Sequence, residues 1–115
     1  MKIPNAASAI IASDQLRDYL LNPQHRRGGS KAKLLLSFGY RRESYARLAE
    51  DLRRYHLSRD YDLLEETEYG RRYEIVGPID APDGRDLILR SIWQTDTGTE
   101  QPRLITIIPE RKYDP

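Results

Sequence analysis

Residues 69–109 read YGRRYEIVGPIDAPDGRDLILRSIWQTDTGTEQPRLITIIP, and this stretch decides the fold. Apart from Ala81 its apolar side chains are β-branched, aromatic, leucine or proline, and turn residues punctuate it. YGRRYEIVGPI reads as a strand from about Arg71 to Val76, ended by Gly77-Pro78. In APDGR, Asp83-Gly84 is a hairpin signal. DLILRSIWQT is the strongest strand pattern in the chain. A second loop, TDTGTEQP, precedes a third strand, RLITIIP. A fourth strand is expected from LLEETEY and a short one from AIIA near the N-terminus. The sum is an antiparallel meander of three to five strands.

Upstream the period changes from two to that of a helix. SDQLRDYLL, residues 13–21, puts Leu16, Tyr19 and Leu20 on one face, with Ser13 or Asp14 as N-cap. Asn22-Pro23 ends that helix, because the residue before proline avoids the α region. A second helix is expected from a capping Ser30, carrying Leu34, Leu35 and Phe38 and closed by Gly39. A third spans about Glu43 to His56, with Tyr45, Leu48, Ala49 and Leu52 as its stripe. Helices followed by strands predict an α+β domain in which N-terminal helices pack on one face of the meander. At 115 residues the chain reads as one domain, 1–115, with a helical half at about 13–57 and a β-meander at about 61–109.

Composition narrows the chemistry. With no cysteine there are no disulfides, thiolate metal sites or cysteine nucleophiles. His25 and His56 lack paired metal-ligand spacing, so no metal or other cofactor is expected. GGSK lacks the spacing of a nucleotide phosphate loop, and a GxSxG elbow is absent. The apolar stretch from Ala6 to Ala12 is too short for a membrane span and makes a poor signal peptide, so a soluble, cytoplasmic protein is expected. Residues 1–60 hold twelve Lys/Arg against six Asp/Glu, whereas residues 61–115 hold seven against twelve. A basic half opposite an acidic half suggests a surface that meets an anion such as RNA.

Two groups of residues could carry chemistry. The loop NPQHRRGGSKAK, residues 22–33, delivers His25, Arg26, Arg27 and Lys31 to the start of a helix. Lys31 in a first turn opposes the helix dipole, which is more understandable if it answers to an anionic ligand. A loop histidine titrates near neutrality and suits general acid–base work, although a structural hydrogen bond closing the loop explains it equally well. His56, beside Arg53 and Arg54, reads as a helix C-terminal partner or a half-buried core residue. The second group lies in the meander: Tyr69, Arg72, Tyr73, Arg90, Trp93, Arg103 and Thr106. Aromatics interleaved with arginines suit stacked bases and phosphates, and equally suit an ordinary half-exposed sheet. Alternation places Leu87, Leu89, Ser91 and Trp93 on one face of the middle strand and Ile88, Arg90 and Ile92 on the other. Arg90 there needs either a carboxylate such as Glu74 or an anionic ligand.

The runs LRDYLLNPQHRRGGSKAKLLLSFGY, EYGRRYEIVGPI and LRSIWQTDTGTEQPRLITIIP together resemble a small bacterial family defined as a domain of unknown function. Its members occur as stand-alone proteins, as C-terminal domains of polymorphic toxins, and attached to phage head proteins. The resemblance extends from about Lys2 to Pro109. In that family proline and one glycine commonly follow the histidine; here Arg26 takes the proline's place. The order of elements also looks like the barnase–EndoU–colicin–RelE class of metal-independent ribonucleases. The resemblance implies RNA as substrate and a cognate antitoxin or immunity protein as partner. It implies His25, Lys31, Arg90 and Thr106 as catalytic residues, with Arg27, Tyr73, Trp93 and Arg103 as substrate-binding residues. The alternatives are a non-catalytic protein- or nucleic-acid-binding module that grips through the open sheet face, and a phage-derived accessory protein.

Overall fold

The computed structural model describes residues 1–27 and 29–110. Their architecture is α+β: short helical segments come first, followed by one four-stranded antiparallel sheet in the order β1-β2-β3-β4. The strands are β1 (Leu63–Thr67), β2 (Gly70–Asp80), β3 (Asp86–Asp96) and β4 (Arg103–Pro109). Asp83-Gly84 makes the β2–β3 turn, with Gly84 at φ 89°. The AIIA stretch contributes one parallel bridge, Ile10 to Arg103, instead of a strand.

β2 does not stop at Gly77-Pro78 but continues to Asp80. The reason lies in the neighbouring strand. β1 pairs with β2 only as far as Glu74, and beyond it the Val76 N–H donates to the Asp62 side chain at 2.7 Å. Pro78 directs its missing N–H to that same strandless side, so no ladder bond is lost.

The helical half departs from regular α geometry in two places. After Ser13 and Asp14, residues Gln15–Leu20 form a π-helical segment in which the Leu21 N–H reaches the Leu16 carbonyl at 2.8 Å. Asp14 caps it by accepting from the Gln15 N–H. Helix α1 spans Gly29–Ser37, so Ser30 lies inside its first turn and not at the cap. Its C-terminus is a Schellman closure: Tyr40 N–H reaches Leu35 O and Gly39 N–H reaches Leu36 O, with Gly39 at φ 102°. A 3₁₀ turn (Arg42–Ser44) leads into α2 (Ala46–Asp51), which runs on as a second π-helical segment, Leu52–His56.

The core lies between these helices and one face of the sheet. Leu16, Leu20, Leu35, Leu48 and Leu52 meet Ile75, Leu89, Trp93, Leu104 and Ile107, all buried. Two polar groups are set into it. Asp51 accepts from the Tyr40 hydroxyl at 2.6 Å and from Arg47 Nε at 2.9 Å. That carboxylate, together with burial, raises the Tyr40 phenol well above its ordinary pKa, burial being the larger cause. His56 is fully buried, its Nδ1 2.6 Å from Ser91 Oγ and its Nε2 3.0 Å from the Gly77 carbonyl. The sequence expectation of a half-buried residue or helix-end partner therefore understated it: His56 ties the helical layer to the two central strands.

Candidate active site

The His25 loop is tied down residue by residue. Asn22 Oδ1 accepts from the Gln24 N–H, and Asn22 Nδ2 donates to the Asp18 carbonyl. The His25 N–H donates to Asn22 O, and Gly29 N–H donates to His25 O. Gly29 is required by close approach, because a Cβ there would sit 2.7 Å from the Pro23 carbonyl oxygen. Arg27 N–H donates to His25 Nδ1 at 3.1 Å. The lone pair is therefore on Nδ1, and the neutral ring carries its proton on Nε2.

Three of the four residues expected to be catalytic connect through one aromatic ring. Lys31 Nζ donates to Thr106 Oγ1 at 3.0 Å, joining α1 to β4 across 75 positions of sequence. The same ammonium lies 5.7 Å from the Tyr19 ring centroid. The His25 ring meets Tyr19 edge-on, with centroids 4.7 Å apart and planes at 83°. Thr106 follows the extra residue, Ile105, at the β3–β4 irregularity beside Ile92 and Trp93. Bulges of this kind re-aim side chains. Tyr19 is the residue that sequence reasoning missed. It was counted as one member of an apolar stripe, and the only signal against that was its being the one phenol among leucines.

Arg90 stands apart from this group. Its guanidinium donates to Glu74 Oε1 at 2.7 Å and to Glu110 Oε2 at 3.0 Å, and these carboxylates, Glu110 foremost, hold its pKa above the ordinary arginine value. The carboxylate alternative named from sequence is thus the observed one. Glu110 also lines a cavity of about 610 Å³ shared with Ser30, Lys31, Leu34, Phe38 and Leu87, so the two clusters border the same hollow.

The residues expected to bind substrate divide sharply. Arg27 is exposed beside His25. Arg103 is engaged by Asp96, with N–O distances of 2.7 and 3.2 Å. Tyr73 and Trp93, 2% and 0% exposed, belong to the core. Trp93 Nε1 donates to Ser91 Oγ, and Tyr73 packs edge-on to Tyr61. Neither ring leaves a face for a base to stack on. The physical reason is the alternation itself, which puts Trp93 on the side the helices cover.

Among the described residues no group of three or more His, Cys, Asp or Glu side chains could hold a metal ion, and no helix is long and apolar enough to cross a membrane. The fold is similar to one chain of a contact-dependent growth inhibition toxin–immunity protein complex from Klebsiella pneumoniae 342. The TM-score is 0.69 at 16% identity, covering 89% of this chain and 100% of that one. No curated protein matches the sequence. A family model described as Domain of unknown function (DUF6883) matches residues 2–111, and the chain belongs to that family.

Proposed function

We propose that this chain is a toxin-type, metal-independent ribonuclease domain held in check by a cognate immunity or antitoxin protein. The observation that carries the reading is that His25 and Lys31 both meet the Tyr19 ring and Lys31 in turn holds Thr106, bringing together a loop, a helix and the last strand. A toxin–immunity complex among proteins of similar fold supports the partner, and the basic charge of residues 1–60 supports an anionic substrate.

RNA cleavage without metal proceeds by attack of the 2′-oxygen on the adjacent phosphorus. The 2′-hydroxyl proton is taken up, the bond to the 5′-oxygen breaks, and that oxygen is protonated. Lys31 neutralises charge on the phosphorane. An ammonium has three N–H donors, and Thr106 Oγ1 is the one hydrogen-bond acceptor it meets among the described residues. His25 is the general acid–base group. Thr106 positions the lysine. Arg90 reaches a phosphate only by giving up Glu110, which makes it the most dispensable of the four.

The test is degradation of total cellular RNA by the purified protein in chelator, beside His25→Ala, Lys31→Ala and Thr106→Val. Loss of about 10²–10⁴-fold on removing His25 matches an acid–base role. Wild type and all three variants leaving RNA equally intact would end the proposal.

A further inference from the structure

The sheet has two edges, and the chain treats them differently. The outer side of β4 is closed by the first half of the sequence. Ile10 N–H donates to Pro102 O, Leu104 N–H donates to Ile10 O, and Gln15 Nε2 donates to the carbonyls of Leu104 and Ile105 at 3.1 and 2.8 Å. Among the described residues, no backbone hydrogen bond from outside the sheet reaches β1. All five β1 residues are exposed, because the helical layer stops short of that strand. Leu63 and Leu64 are 47% and 38% exposed, and Tyr69 in the adjoining turn is 68% exposed. Three of the usual protections of an edge are missing from β1: it holds no proline, no lysine and no break in register.

What β1 does carry is negative charge. Asp62, Glu65, Glu66 and Glu68 fall within seven residues that contain no Lys or Arg. A second copy of the chain is a poor occupant, since two-fold antiparallel pairing over residues 63–67 sets Glu65 against its own counterpart and Glu66 beside it against Leu64. Like charges directly opposite one another destabilise a ladder. The carboxylates therefore do not close the edge; they select what can pair with it.

We propose that β1 is a docking edge for a partner protein, which adds to the sheet an extended segment bearing lysine or arginine. Main-chain hydrogen bonds supply affinity, Leu63, Leu64 and Tyr69 supply apolar contact, and the acidic residues supply selectivity. This edge is three strand spacings, about 14 Å, from β4 and its Thr106. The proposal therefore holds whether or not the His25 cluster cuts RNA.

A copy of this chain with Glu65→Lys, Glu66→Lys and Glu68→Lys carries a strand of the required chemistry. Wild type and variant, each alone, should sediment as monomers. Their mixture at low salt should form a heterodimer that salt weakens, with amide exchange at residues 63–67 slowed about tenfold or more. Because the variant is open to misfolding, circular dichroism accompanies it. A synthetic peptide of alternating lysine and valine, titrated onto wild type, gives an independent reading through the same amides. A mixture of folded proteins that stays monomeric together with a peptide that leaves residues 63–67 unprotected would overturn the proposal, as would a wild-type homodimer through β1. RNA cleavage should be the same in the variant as in wild type, so failure of the docking edge and failure of the nuclease reading are told apart.

Discussion

Lowering the pH through the histidine range should loosen this fold, and the size of the effect follows from His56. The Gly77 carbonyl can only accept, so His56 Nε2 carries a proton. Ser91 Oγ already accepts from Trp93 Nε1, and its own hydrogen satisfies His56 Nδ1. Every group is paired when the ring is neutral. A second proton on Nδ1 would leave the Ser91 hydroxyl hydrogen without its acceptor and place a charge in the core. Arg59, whose guanidinium stacks on Gly77, adds repulsion, and Asp62 offsets part of it. Burial is the largest cause, and the folded-state pKa lies below the ordinary 6.5. The unfolded chain therefore binds the proton first as pH falls. Stability is unaffected by this group well above pH 6.5 and declines below it, by at most about 1.4 kcal/mol per pH unit, until the folded value is reached. Urea midpoints from pH 7.5 to 5.5 for wild type and His56→Gln measure it, because glutamine keeps a donor for Gly77 but does not titrate. His56→Gln should be less stable at pH 7.5 by about 1–3 kcal/mol, the cost of imperfectly paired buried groups, and the gap should narrow as pH falls. Parallel pH dependence in the two proteins would refute the reasoning.

Asp51→Asn leaves Arg47 without its carboxylate and makes the buried Tyr40 hydroxyl share a weaker acceptor; a loss of about 2–3 kcal/mol in chemical denaturation is expected. Gly70→Ala places a Cβ 2.1 Å from the Thr95 carbonyl oxygen at φ 138°, so the β1–β2 turn must rebuild, and thermal unfolding should show a drop of about 3 kcal/mol or more. Tyr19→Phe keeps the ring under Lys31 and beside His25, and RNA cleavage should stay within about threefold of wild type, whereas Tyr19→Leu should cost about 10–100-fold; equal activity in both would remove Tyr19 from the site.

The strands were legible because alternation and turn residues are local signals. Where reading failed, the deciding fact was distant. Pro78 looked like a terminator, and only the early end of β1 makes it harmless inside a strand. The two helices at 13–21 and 43–56 were visible as apolar stripes, but their π-helical turns shift the phase without leaving a mark that a 3.6-residue period detects. His25 and Lys31 stood out as residues poorly explained by their local surroundings. Trp93 was grouped with Arg90 as a binding surface although alternation puts them on opposite faces; the helices then settled which face is core. Tyr19 could not be singled out, since its role depends on partners six and twelve positions along the chain meeting above one ring.

Lys31 and Thr106 are 75 positions apart, and Gln15 is 89 and 90 positions from the β4 carbonyls it holds. A ribosome delivers β4 last, after every other element of the sheet has emerged. The Lys31–Thr106 junction is thus one of the late long-range contacts of a growing chain, and a product ending before residue 106 lacks it altogether. The group that links His25, Tyr19, Lys31 and Thr106 is therefore complete only after β4 has emerged, long after the loop and helix that supply its other members.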